Sequence, residues 1–325
     1  MKAILITILK IIIPLAIGIY LTWFFFSHLS ETELLDLKNA FIKADYRFML
    51  YGMIILLLSH MSRAYRWKYM LQPLGHQPSF WKMYHSVMIG YLINLTIPRS
   101  GEVARAGYYS RFEKDVPFNK VFGTIIVERI IDMVMLGIVF SATVYMQKDV
   151  AAFNSIKDSG QTNLSLPGWI YLTVGGVLIV GTIAIFLSEK LKEKVLNLVK
   201  GIFEGIKTIF KLKQRVAYVA HTLFIWICYV GVIWVCSFSL PETSNLSINA
   251  VFAVFTVGGI AISATPGGIG LYPLMVSAVL ANLYNIENAE SFSMLAWTAV
   301  TAFTIIIGLV SLFALPFICK KEQQV

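Results

Sequence analysis

Uncharged apolar residues run from Ile11 to Phe26 and from Phe292 to Ile318 without the alternation of a half-buried strand. Each run is long enough to cross about 30 Å of hydrocarbon as a helix, and the lack of alternation argues against a membrane β-barrel. The same pattern predicts spans at about Ala3 to Phe26, Phe48 to Met61, Phe118 to Met146, Trp169 to Leu187, Val216 to Phe238 and Phe292 to Ile318. Two further apolar stretches do not fit an ordinary span. Met83 to Ile97 is short and carries His85 and Asn94, and it ends at Pro98. Ala250 to Tyr284 is interrupted by Thr265-Pro266-Gly267-Gly268-Ile269-Gly270. Proline cannot donate a backbone hydrogen bond and glycine tolerates left-handed backbone, so both stretches read as re-entrant helical hairpins.

Charge decides how these elements sit. Four Lys or Arg fall between Arg63 and Lys82, five between Arg99 and Lys120, and eight between Lys190 and Arg215. The connections from Ser27 to Tyr46, Gln147 to Gly168 and Leu240 to Asn249 are near neutral or acidic. Basic connections belong on the cytoplasmic side, so Met83 to Ile97 must enter and return from within, and Ala250 to Tyr284 from outside. Both termini are then cytoplasmic in a multi-pass protein of the cell (inner) membrane. Pro98 and Pro266 are about 168 residues apart, and Tyr46 and Val216 about 170, the steady offset of an internal duplication. The expected architecture is therefore all-α, one integral membrane domain over 1–325, with an inverted pair of repeats at 1–147 and 169–319. A connector at 189–215 has apolar residues at helical spacing between lysines and should lie flat on the cytoplasmic surface.

Composition agrees, with 57% hydrophobic and 14% charged residues and a mean hydropathy of +0.72, far too apolar for a soluble chain. The net charge of +9 is concentrated beside hydrophobic helices, where anionic lipid headgroups account for it better than nucleic acid does. The stretch Ile11 to Phe26 is longer than a signal-peptide core and no small-residue cleavage site follows it, so it reads as the first span. Cys228, Cys236 and Cys319 lack metal-ligand spacing and read as packing residues. No metal or cofactor site is expected. The sequons Asn163-Leu-Ser165 and Asn245-Leu-Ser247 are too short to carry weight.

The chemistry lies in the first half. Charge in a bilayer costs about 2.5 to 3.5 kcal/mol per residue on insertion scales, so such groups need partners, water or a function. Arg99, Glu102 and Arg105 follow the Pro98 break, and Glu128, Arg129 and Asp132 lie about ten residues into a long span, roughly 15 Å deep. Glu128 and Asp132 share one helix face, with Arg129 on the next. One reading is a buried ion-pair network, with Arg99 and Arg105 paired to the carboxylates. The other is a lipid headgroup site, in which guanidinium groups bind phosphate and the carboxylates orient them. In the second half, Pro266, Gly267, Gly268 and Gly270 form either a tightly packed turn or a set of exposed amides able to receive an anion. Gly101 marks the corresponding turn in the first half. Thr298, Thr301 and Thr304 sit where the repeat offset places the charged face, so the second half is polar there without charge. Arg63 to Tyr69 reads mainly as an interfacial anchor, and His60 and His85 as hydrogen-bonded packing residues.

Four motifs in order give a resemblance. Arg63 to Leu71 looks like an arginine-tryptophan motif, Ile97 to Arg105 like Pro-x-x-x-Gly-Glu-x-x-Arg, Val127 to Asp132 like Val-Glu-Arg-x-x-Asp, and Thr265 to Gly270 like Pro-Gly-Gly-x-Gly. Together they resemble the lysylphosphatidylglycerol synthase transmembrane region, the flippase-like family. The resemblance implies translocation or handling of anionic or modified phospholipids or polyprenyl-linked glycolipids. It does not extend to the soluble aminoacyl-transferase domain that some members carry, so lysyl transfer is not expected. Where the family pattern tends to have a glutamate three residues after the last glycine, this chain has Pro273.

The leading expectation is a non-enzymatic lipid flippase acting on membrane phospholipids with anionic headgroups, working as a homo-oligomer or beside a separate lipid-modifying enzyme. The alternatives are a membrane-embedded transferase or accessory subunit using Glu128 or Asp132 as a base on a polyprenyl-linked or phospholipid substrate, and a small-solute secondary transporter.

Overall fold

The computed structural model describes residues 2–75, 77–97, 100–113, 116–148, 193, 200–201 and 205–322. Among them there are helices, turns and no strand. The N-terminal pair is α1 (Lys2–Ser27) and α2 (Glu31–Lys43), bent by 108° at the break between them. The corner is fixed by a capping box: the Ser30 hydroxyl accepts from the Glu33 amide, and the Glu33 carboxylate accepts from the Ser30 amide at 2.7 Å. Next come α3 (Tyr46–Leu71), α4 (Phe80–Asn94), α5 (Gly101–Phe112) and α6 (Phe118–Gln147). The later part has α7 (Arg215–Ser237), α8 (Ile248–Ala264), α9 (Leu271–Tyr284) and α10 (Ala289–Glu322).

Both parts therefore run long helix, short helix, break, short helix, long helix. Packing is reciprocal as well: α3 lies on α7, α4 on α10, and α6 on α8, while each short pair, α4 with α5 and α8 with α9, packs on itself. Buried apolar residues form one core around α3, α7, α8, α9 and α10 and another around α3, α4, α5 and α6.

The breaks are built differently. In the first, the Asn94 side chain accepts from the Gly101 amide at 2.7 Å, and a Cβ on Gly101 would lie 2.1 Å from the Gly90 carbonyl oxygen, so only glycine allows α4 and α5 this approach. In the second, Gly267, Gly268 and Gly270 all have positive φ, and the Trp297 indole donates to the Gly267 carbonyl at 2.8 Å. The two tips touch, because a Cβ on Gly267 would lie 2.6 Å from a methyl carbon of Leu95. The second tip also rests on α1, where Gly270 meets the backbone at Gly18 and Thr22.

Several expectations change. The return limb of the first hairpin is α5, which the charge count assigned to a connection, and Met83 to Ile97 lies almost entirely in the outgoing limb α4. The span expected at Phe48 to Met61 continues to Leu71, carrying Arg63, Arg66 and Trp67 into the interior. Among the described residues, three helices are long and apolar enough to cross a membrane, namely Tyr46–Leu74, Arg215–Ser237 and Ala289–Ile318, with a fourth if the bent pair α1 and α2 is one span. Helix α6 has the length but carries Glu128, Arg129 and Asp132. The span expected at Trp169 to Leu187, the sequon at Asn163 and about half of the 189–215 connector lie outside the described residues. Residues 205–211 are helical, and Gly205 packs against Ile130 of α6.

Candidate functional site: an arginine and carboxylate cluster beside a cleft

Helix α3 brings Arg63 and Arg66 to one face, and α6 brings Glu128 and Asp132 to the face opposite. Arg63 Nη1 donates to Glu128 Oε1 and to Asp132 Oδ2, both at 3.0 Å. Arg66 Nη2 donates to Glu128 Oε1 at 2.8 Å and to Asp132 Oδ1 at 3.0 Å, and Arg66 Nη1 donates to the Thr222 hydroxyl of α7 at 3.0 Å. Arg105 of α5 approaches the other oxygen of Glu128 at 2.9 Å. All five side chains are buried, Arg66 completely. Arg129 is the partly open member, 39% exposed, and pairs across to Glu102 of α5 at 2.9 Å.

Aromatic rings set the arginine planes. The Arg105 guanidinium lies 3.8 Å from the Trp67 ring centroid, and the Trp67 indole is held in turn by a 2.9 Å hydrogen bond to the Thr124 hydroxyl. Arg66 lies over Tyr218 at 5.3 Å. Such stacking leaves the guanidinium edge free to donate in plane.

Four arginines thus meet three carboxylates, and the described cluster carries excess positive charge. Its open side is a narrow, solvent-open cleft between α3, α4, α5 and α6, with a volume of about 10 Å³, lined by Arg63, Glu102, Arg105 and Arg129 together with Tyr91 and Asn94. Buried polar atoms of these lining residues remain without a hydrogen-bond partner among the described residues: the donors Arg63 Nε and Arg105 Nε, and the acceptor Glu102 Oε2. A buried polar atom without a partner costs about 1 to 3 kcal/mol. An anion with several acceptor oxygens would satisfy donors of this kind and offset the surplus charge.

The structure brings Glu102, Arg105, Glu128, Arg129 and Asp132 into one site. Pro98 and Arg99 lie outside the described residues. The carboxylates are paired chiefly by Arg63 and Arg66, which sequence reasoning assigned to an interfacial anchor. The signal was present, since Arg63 and Arg66 are three apart and share a face as Glu128 and Asp132 do. It was obscured because the apolar run ends at Met61. The second-half turn is packed against Leu95, Trp297 and α1. Thr304 is spent on its own helix, donating to the Val300 carbonyl. His85 hydrogen bonds Ser311 at 2.9 Å as a packing residue, whereas buried His60 Nδ1 has no such partner among the described residues and its ring lies tilted against Tyr91. Cys228 and Cys236 are free and buried, and among the described residues no group of His, Cys, Asp and Glu is arranged to hold a metal.

The family model of the lysylphosphatidylglycerol synthase TM region matches residues 11–308. The chain belongs to that family. Among its relatives, the UPF0104 membrane protein PH1989 of Pyrococcus horikoshii is 22% identical over 73% of this chain and 78% of its own length. The UPF0104 membrane protein MJ1595 of Methanocaldococcus jannaschii is 22% identical over 71% of this chain and 74% of its own. Glycosyltransferase AglD of Haloferax volcanii is 23% identical over 73% of this chain, a match that takes in 44% of that larger protein. No solved structure matches. A membrane protein of several apolar helices is thus what the composition, the helices and the relatives all give.

Proposed function

We propose that this protein translocates an anionic or modified phospholipid, or a related lipid-linked substrate, between the leaflets of the cell membrane. The headgroup sits in the cleft beside Arg63, Arg105 and Arg129, while the acyl tails stay in the bilayer. The observation that carries this reading is the surplus of arginine over carboxylate in a buried cluster that keeps unpartnered donors and opens on a cleft. A purely structural ion-pair network has no need of surplus charge or of an opening. In this reading the repeated helix order is an inverted repeat, the two hairpins enter from opposite faces with the termini cytoplasmic, and their touching tips mark mid-membrane. No covalent step is required, and the partners are membrane phospholipids.

The test is leaflet exchange of labelled phospholipids in proteoliposomes. Acceleration over protein-free vesicles for anionic headgroups, reduced in Arg129→Gln, supports the proposal. No acceleration with any lipid class overturns it.

A second reading, an accessory role to a glycosyl transferase acting on lipid-linked sugars, is favoured by the match to part of Glycosyltransferase AglD. Exchange of a polyprenyl-phosphate lipid in preference to phospholipids would select it.

A further inference from the structure

The cleft in this conformation is narrower than the group proposed to enter it. Its volume of about 10 Å³ has room for at most about one water molecule, whereas a phosphate carries four oxygens around its phosphorus. A headgroup therefore enters only after part of the wall has moved. Most of the wall is fixed. Arg63 is buried and hydrogen bonds both Glu128 and Asp132, and Arg105 is buried between the Trp67 ring and Glu128. Val87 belongs to the apolar core of the first half, and the Tyr91 hydroxyl is hydrogen bonded to that of Tyr229 on α7 at 3.2 Å. The backbones at Gly90 and Gly101 approach closely, with the Asn94 side chain holding the Gly101 amide.

Glu102 and Arg129 differ from the rest of the wall. Their side chains are 20% and 39% exposed, and they meet between α5 and α6 at 2.9 Å. The contact is an ion pair that lies out of line with the N–H bond, since Arg129 Nε makes no hydrogen bond among the described residues despite that distance. The second carboxylate oxygen of Glu102, Oε2, is buried and equally without a partner. Partly solvated pairs contribute little to stability, and a buried oxygen left unpaired is unfavourable. Turning the Glu102 side chain outward needs no movement of α5, which the Arg105 pair still holds to α6 and the Gly90 to Gly101 contact still holds to α4.

From this contrast we infer that the Glu102–Arg129 pair is the gate of the cleft: Glu102 occupies Arg129 as an internal stand-in for the substrate's anion, and an incoming phosphate displaces it. Phosphate has the advantage in the exchange because it brings several acceptor oxygens, one of which can meet Arg129 in line. Glu102 gains as well, since its unpartnered oxygen reaches water. A neutral headgroup cannot replace a carboxylate on arginine, so the gate yields to anions and stays shut to the neutral lipids around it. This gate rests on the headgroup reading of the cleft, and it adds to that reading the residue that sets the threshold for entry.

The experiment uses the full chain in neutral detergent with phosphatidylcholine, whose phosphate is offset by its own ammonium group, and adds either phosphatidic acid or inorganic phosphate. Arginine accessibility is read by brief treatment with phenylglyoxal, and carboxylate accessibility by a water-soluble carbodiimide with an amine, each followed by mass spectrometry. Phosphatidic acid should protect Arg129 by about threefold or more and raise the labelling of Glu102 by a similar factor. Glu128 and Asp132 serve as buried controls and should not change. A fixed structural pair predicts neither effect, and a Glu102 that itself holds the headgroup predicts protection of both residues. Glu102→Gln, which removes the competing charge, should bind phosphatidic acid about two- to fivefold more tightly than the parent.

The gate is overturned, with the headgroup reading intact, if phosphatidic acid protects Arg129 while labelling of Glu102 stays the same or falls. It is overturned as well if Glu102→Gln binds phosphatidic acid no more tightly than the parent. Should inorganic phosphate produce the reciprocal change and phosphatidic acid fail to, the gate stands, its ligand comes from solution, and the headgroup reading falls. If neither ligand protects Arg129, both fall. A Glu102→Gln protein that does not fold, judged by size-exclusion elution, leaves the labelling of the parent as the deciding measurement.

Discussion

At the scale of single residues, the arginine cluster sets opposing costs against each other. Desolvating a charge costs several kcal/mol, and breaking a buried pair by removing one partner typically costs about 3 to 5 kcal/mol. Arg66, with no exposure and three hydrogen-bonded partners, should be the least replaceable: Arg66→Met is expected to destabilise by about 3 to 5 kcal/mol, read as a fall in thermal unfolding temperature in detergent. Arg129, 39% exposed at the cleft mouth, should behave oppositely. Arg129→Gln is expected to leave stability within about 1 kcal/mol of the parent, since partly solvated pairs contribute little, and to weaken headgroup selectivity in the exchange assay. If both variants lower only stability, the cluster is structural and the headgroup reading loses its support. Much of this site was legible from charge alone. Glu128 and Asp132, four apart in an apolar helix, announced a buried pair, but which cations would meet them depended on how far α3 runs inward, and a local apolar window cannot register burial that is stabilised by distant carboxylates.

At the scale of elements, two short segments carry distinct constraints. Gly101→Ala would set a methyl group 2.1 Å from the Gly90 carbonyl oxygen, pushing α4 and α5 apart. Overpacking of this kind costs about 1 to 3 kcal/mol, and because Glu102 and Arg105 follow on the same helix, the variant should also lose lipid selectivity. The check is unfolding temperature together with exchange. At the corner between α1 and α2, the Ser30 hydroxyl and amide bonds hold the Glu33 carboxyl below the usual carboxylate range. Its contribution to the corner is therefore complete above the ordinary glutamate value and is lost as pH falls through the lowered one. Hydrogen exchange of the first-turn amides of α2 should quicken on acidification, and Glu33→Gln should remove that pH dependence. The break at Pro266 was legible from proline and glycine chemistry. The return limb α5 was not, because Arg105 and Arg111 gave it the signature of an exposed connection, while Arg105 is in fact neutralised by Glu128.

At the scale of the molecule, the helix order repeats across the chain and the packing contacts pair reciprocally. If the halves are inverted, single cysteines in the 72–79, 113–117 and 212–214 connections should label from one side of a sealed vesicle, and those in 239–247 and 285–288 from the other. Labelling of all five from one side would rule out the inversion. The repeated helix order was readable as an offset of about 168 to 173 residues between corresponding prolines and helix ends.

The distance along the chain between Arg63 and Glu128, 65 residues, has a consequence for how the protein is made. At a synthesis rate of about 5 to 20 residues per second, α3 emerges roughly 3 to 13 seconds before its carboxylates exist. During that interval the inner half of α3 holds two unneutralised cations and has to wait at the membrane surface, where long arginine side chains can reach headgroups. Insertion of α3 is then completed by the arrival of α6. A ribosome paused between the two helices should leave Arg63 and Arg66 accessible to aqueous reagents, and release of the pause should withdraw them.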